Sequence, residues 1–161
     1  MANSNNLIQK QIEIIPFTDE LKESIKILNY EWLEKHFHVE QGDVLSLSNP
    51  REQIINKGGF IFYAKMDDQI VGTASLLKKS TIVFELGKMA VTEHAQGYGI
   101  GKILLEHCIA FAKTQSIQKL ILYSNTKLIS AMHLYCKYGF VAIELEHGLY
   151  ERADIKMEKS L

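Results

Sequence analysis

The sequence predicts an α/β protein of one domain, in which a mixed sheet carries helices in a layered, α+β arrangement. Three observations predict it. The chain has 161 residues with 47% hydrophobic content, inside the range of about 100–200 residues common for one domain and enough to bury a core. Strand-like runs dominate the first half, while the second half alternates strand and helix, the order that a parallel pairing needs for its crossovers. The segments sum to about six to seven strands and about four helices.

The first strand is residues 11 to 15, Gln-Ile-Glu-Ile-Ile, which alternate and then meet Pro16. Thr18 is placed to cap a helix whose Leu21, Ile25, Leu28, Trp32 and Leu33 recur at helical spacing, ending near Lys35. From Phe37 to Ser48 the pattern lapses, and a loop is expected. Asn49-Pro50 reads as a cap with proline at the first helical position, opening a short helix that Gly58-Gly59 stops. Phe60 to Ala64 and Ile70 to Leu77 read as a hairpin turned by Asp67-Asp68-Gln69, and Thr81 to Val91 as a further long strand.

The segment from Gly99 to about Lys113 is a core-facing helix, with Ile100, Ile103, Leu104, His107, Cys108 and Phe111 on one stripe. Lys119 to Tyr123 is a short strand, Leu128 to Tyr138 a helix ended by Gly139, and Phe140 to Glu144 a strand. A last strand near Glu151 to Met157 alternates Ala153, Ile155 and Met157 with Arg152, Asp154 and Lys156.

Composition narrows the function. The net charge of −1, from 18 basic and 19 acidic residues, gives no field that would draw the whole molecule to nucleic acid or to an anionic membrane. Met1 to Asn6 is polar and has neither the charge nor the apolar stretch of a secretory signal. No apolar run approaches the roughly 20 residues that cross a bilayer. Cys108 and Cys136 form neither a disulfide framework nor a close-spaced metal pair, and a reducing, cytoplasmic setting suits them. His36 and His38 lack a third ligand nearby, so no metal is expected.

Chemistry concentrates at Gln96-Gly97-Tyr98-Gly99-Ile100-Gly101-Lys102, between a strand and the strongest helix. Free backbone N–H groups and the helix dipole converge there, which makes an anion site. Glycine lets the backbone approach phosphate oxygens and adopt positive φ. The alternative is a turn that only packs helix against strand. A Walker loop fails, because it needs glycine at Gln96 and a hydroxyl at Ile103. A dinucleotide fingerprint starting at Gly97 fails as well, because its last glycine falls on Lys102 and no acidic residue takes the ribose position.

The segment resembles the GNAT superfamily of N-acetyltransferases, whose signature [RQ]-x-x-G-x-[GA] is matched by Gln96, Gly99 and Gly101. Glu85 to Val91 before it, and Ser124-Asn125 and Leu134 to Phe140 after it, also match family patterns. The resemblance is strong over about residues 60 to 144, and by element order alone before that. It implies acetyl-CoA as cosubstrate, with its pyrophosphate on the amides of Gly97, Tyr98, Gly99, Ile100 and Gly101 and its pantetheine arm along Met89, Ala90 and Val91. The Met89 amide would face the thioester carbonyl, Asn125 would touch the CoA arm, and Tyr135 would protonate the departing thiolate.

Glu85, a lone acid among Ile82, Val83, Phe84 and Leu86, matches a strand position from which some relatives draw their base. A strand-end acid facing solvent is the competing reading. The competing readings are a core aromatic for Tyr135 and a turn residue for Asn125. The family draws acceptor specificity from its first helices and last strands, which nominates Glu31, Trp32, His36, Phe37, Tyr150 and Arg152. The expected activity is acetyl transfer to a primary amine by direct attack in a ternary complex, the acceptor being a small molecule or peptide. A non-catalytic acyl-CoA-binding or sensor module is the alternative. Oligomeric state is open between monomer and homodimer.

Overall fold

A computed structural model describes residues 10–161; the polar segment Met1 to Asn6 lies outside them. Its strands are β1 (Ile12–Pro16), β2 (Phe60–Met66), β3 (Gln69–Lys78), β4 (Val83–Val91), β5 (Lys119–Ser124), β6 (Val141–Ile143) and β7 (Ile155–Ser160). They form one seven-stranded sheet in the order β1-β2-β3-β4-β5-β7-β6. All neighbours are antiparallel except β4 and β5, which run parallel. The helices are α1 (Lys22–His36), α2 (Gln41–Ser48), α3 (Ile100–Thr114) and α4 (Ile129–Lys137).

Alternation along the strands divides the core between the two faces. In β2, Ile61 and Tyr63 join Ile25, Leu33, Leu47 and Ile54 under α1 and α2. Their neighbours Phe62 and Ala64 turn to the other face, beneath Leu104, Leu105 and Cys108 of α3. Each large apolar side chain fully buried there contributes about 1.5–3 kcal/mol. Gly72 lets α3 come close: a Cβ on it would lie 2.9 Å from Ile100 Cγ2 and 3.1 Å from Leu104 Cδ1.

Several elements differ from the sequence expectation, each for a local reason. Pro16 is the last residue of β1 rather than its terminator, which an edge strand permits because a missing N–H can face outward. Thr18 makes no side-chain cap and precedes a single 3-10 turn, Asp19–Leu21, before α1 begins. The expected loop from Phe37 to Ser48 contains α2, started by a reciprocal capping box between Glu40 and Asp43. Asn49 closes α2 through a bond from Nδ2 to the Leu45 carbonyl, 3.1 Å, and the expected helix after it is a π-turn, Arg51–Ile55. The last strand starts at Ile155, because Glu151 and Arg152 are held in a turn by charges on α2.

Candidate active site

Two irregularities in β4 create the site. β4 and β5 pair only from Val83 to Glu85, opposite Lys119 to Ile121. Beyond Glu85 the strands part, and Leu86 to Val91 on one side face Tyr123 to Asn125 on the other. Two residues, Lys88 and Met89, stand opposite the single Ala74 of β3, a β-bulge at which Lys88 takes φ 51°. Asn29 of α1, itself buried, steadies the bulge by donating to the Lys88 carbonyl at 3.1 Å.

A cavity of about 480 Å³ fills this opening. It touches Met89, Ala90, Val91, Gln96, Gly101, Asn125 and Tyr135, and also Trp32, His36, Phe37, Glu85, Tyr150 and Arg152. Residues separated by as much as 120 positions therefore share one lumen.

The glycine turn borders it through Gln96 and Gly101. Gly97 (φ 89°) and Gly99 (φ 75°) are left-handed, and a Cβ on either would meet nothing within 4 Å, so space outside the turn is open. Among the described residues, none of the amides from 97 to 102 donates to a backbone oxygen. They cluster where α3 starts, with no side-chain cap on Gly99, and fit an anionic group. Tyr98 and Lys102 are exposed and Ile100 is buried in the core; these three offer the turn their backbone.

Tyr135 lies on α4 and lines the cavity, and its hydroxyl makes no hydrogen bond to any described residue. Burial pushes its phenol up to about 12, so it stays protonated at neutral pH. Asn125 also lines the cavity, but its carboxamide is engaged: Nδ2 donates to the Arg152 carbonyl at 2.9 Å, and Oδ1 accepts from the Lys127 amide at 2.9 Å. The turn reading of Asn125 thus describes its side chain.

Glu85 is 2% exposed, which removes the reading of a solvent-facing strand end. Its Oε2 accepts from the Tyr150 hydroxyl at 3.0 Å. Its Oε1 lies 3.2 Å from Lys79 Nζ yet has no partner in hydrogen-bonding geometry; the contact is a charge pairing at the rim. Burial first, and then the Glu85 charge, raise the Tyr150 phenol far above its usual range.

Behind Tyr150 stands a cluster the sequence did not reveal. Arg152 forks onto Asp43 (2.7 and 2.9 Å) and reaches Glu40 (2.7 Å), and Lys88 Nζ binds Asp43 Oδ1 at 3.0 Å. Asp43 is 1% exposed. Burial pushes its carboxyl up, but the Arg152 hydrogen bond, the Lys88 charge and the Glu40 amide together outweigh it and hold the group at about 2. The acid-x-x-acid spacing of Glu40 and Asp43 ahead of Val44 and Leu47 was the one local signal for α2.

Trp32 packs against His36 and Phe37, with ring centroids 5.2 and 5.5 Å apart. Lys127 lies over the Phe37 ring at 3.9 Å and donates to the His36 carbonyl at 2.8 Å, tying α1 to the loop before α4. Glu31 does not reach the cavity. It is exposed and accepts from Thr92 Oγ1 (2.9 Å) and the Glu93 amide (3.1 Å). His38 also lies apart, paired with Glu151 at 3.3 Å.

The profile of the acetyltransferase (GNAT) family matches residues 21–140. The chain belongs to the GNAT family. Among curated proteins it is similar to N-acetyltransferase 8B of Rattus norvegicus, 26% identical over 117 residues, which is 68% of this chain and 49% of that protein. The chain thus spans about half the length of that relative. Among solved structures, a GNAT acetyltransferase from Staphylococcus aureus Mu50 superposes with TM-score 0.82 at 25% identity, covering 93% of this chain and 99% of the other. The PaiA N-acetyltransferase of Thermoplasma acidophilum, solved with coenzyme A, shares the fold with TM-score 0.72 at 21% identity, covering 94% and 99%. This GNAT chain therefore has the family's mixed seven-stranded sheet, opened between β4 and β5.

Proposed function

We propose that this chain is an N-acetyltransferase that uses acetyl-CoA and passes the acetyl group directly to an amine in a ternary complex. The observation that carries the reading is the single cavity that joins the glycine turn, Tyr135 and Glu85 across the parted strands. Direct transfer needs donor and acceptor sites to meet in one lumen.

The free amides of 97 to 102 fit the pyrophosphate of a CoA molecule, and the unpartnered stretch of β4 beside Met89 to Val91 fits its extended arm. Acetyl-CoA supplies an activated thioester carbonyl. The Met89 amide lies on the stretch suited to face the oxygen that gains negative charge. Glu85 takes the proton of the incoming ammonium through Oε1, the oxygen without a hydrogen bond.

Tyr135 gives its proton to the leaving sulfur. A phenol at about 12 is a weak acid toward a thiol whose ordinary pKa is about 8.5. The same burial that raises the phenol also raises the thiol, so the gap between them is smaller than the two isolated values suggest.

The test is thiol release from acetyl-CoA with a panel of amines, amino acids and peptides, run beside Gly99→Glu, which fills the turn with a carboxylate. Release that depends on the acceptor and vanishes in the variant supports the reading. Tight acetyl-CoA binding with no release for any acceptor favours the binding module, and no binding at all rejects both.

A further inference from the structure

We infer that the acceptor is a primary monoamine on an uncharged aromatic body, whose ammonium pairs with Glu85. The inference deepens the acetyltransferase reading and rests on it, because it assigns the acceptor half of the same cavity.

The charges around that half are paired among themselves. Three carboxylates, Glu40, Asp43 and Glu85, face three cations, Lys79, Lys88 and Arg152. Lys88 and Arg152 front the cavity, but both are committed to Asp43 behind them, and Arg152 to Glu40 as well. An acceptor carboxylate that took one of them from the buried aspartate would leave that charge uncompensated, and a further cation, Lys127, lies over Phe37 of the wall and is held on the His36 carbonyl. An amino acid or acidic peptide end is therefore disfavoured.

A cation finds a different situation. Glu85 Oε1 is buried, has no hydrogen bond, and has only the half-exposed Lys79 nearby, which can swing into water. A buried acceptor oxygen without a donor is costly and favours a ligand that supplies one. The added positive charge is transient, since the ammonium loses its proton as it reacts. A second ammonium on the same acceptor would keep its charge and find no second carboxylate among the described residues that line the cavity, which disfavours di- and polyamines.

The walls choose the body. Trp32, Phe37, Tyr123 and Tyr150 line the same lumen, and aromatic faces and edges hold an aromatic ring by area and by quadrupole.

Trp32 is the single tryptophan of the chain and lines this lumen, so its fluorescence reads occupancy without turnover. Phenethylamine, phenylalanine and putrescine would be titrated into the full-length protein saturated with CoA. Phenethylamine should give a saturable change, with phenylalanine and putrescine at least about ten-fold weaker. The inference is overturned if either of those two binds as tightly as phenethylamine, or if phenethylamine gives no saturable change. Saturable phenethylamine binding with no thiol release from acetyl-CoA for it or any amine of the panel would leave the binding preference standing and remove the transferase reading, so the two failures are distinguishable.

Discussion

The Tyr150 hydroxyl donates a 3.0 Å hydrogen bond to Glu85 Oε2, joining the loop before the last strand to the middle of β4. A hydrogen bond to a charged group contributes about 1.5–3 kcal/mol. Tyr150→Phe should therefore lower kcat/KM for the amine by about ten- to a hundred-fold. Glu85→Gln, which removes the base itself, should cost about 10²–10⁴-fold. Steady-state kinetics with one amine checks both, and an unchanged rate in either variant would detach that residue from proton removal.

Tyr135→Phe deletes a hydroxyl that has no described protein partner, so the fold loses little. Turnover should fall by about 10²-fold or more if the phenol is the general acid, while acetyl-CoA affinity stays near wild type. Calorimetry beside single-turnover kinetics separates the two effects. Equal losses in affinity and rate would make Tyr135 a wall of the cavity rather than an acid.

Asp43 links stability to acid. Its carboxyl is held at about 2 in the folded protein, below the usual value of about 4. The stability it contributes, up to about 2 kcal/mol, is fully present above about pH 4 and disappears as pH falls from there toward 2. Urea unfolding of wild type should show that loss on top of the common acid trend. Asp43→Asn should be less stable at pH 7, with Arg152 and Lys88 left short of a buried partner, and should lose less on acidification.

His107 predicts a second window. Its Nε2 is buried without a partner, the ring meets Phe62 at 4.5 Å, and burial lowers its pKa. The unfolded chain binds a proton near pH 6.5 while the folded one resists, so stability should decline as pH falls through about 6.5 and stop declining below the folded value. His107→Phe should flatten the wild-type stability curve between about pH 7 and 5. A curve of the same slope in both proteins would assign the decline to other groups.

Much of this site was legible because its signals are local. The glycine turn is a contiguous string, and Glu85 stands out as an acid inside an apolar strand. Glu31 was misassigned through helical phase, since one residue rotates a side chain by about 100°: Trp32 faces the cavity and Glu31 faces Thr92. Asp43 was hidden for another reason. Its partners Lys88 and Arg152 lie 45 and 109 positions away, and nothing in a window around Asp43 marks a charge that only tertiary folding satisfies.

The bulge at Lys88 and Met89 works as a phase shift in the strand. Side chains on a strand alternate sides with a period of two, so one surplus residue exchanges the sides for everything beyond it. Removing Lys88 would give β4 the regular pairing it lacks, with Glu85, Gly87 and Ala90 still opposite Leu77, Ser75 and Thr73, but would delete both the carbonyl that Asn29 holds and the ammonium that binds Asp43. Length variation that a surface loop would absorb therefore costs this position a buried ion pair, and a single-codon deletion here should lower activity in a chain that still forms its sheet.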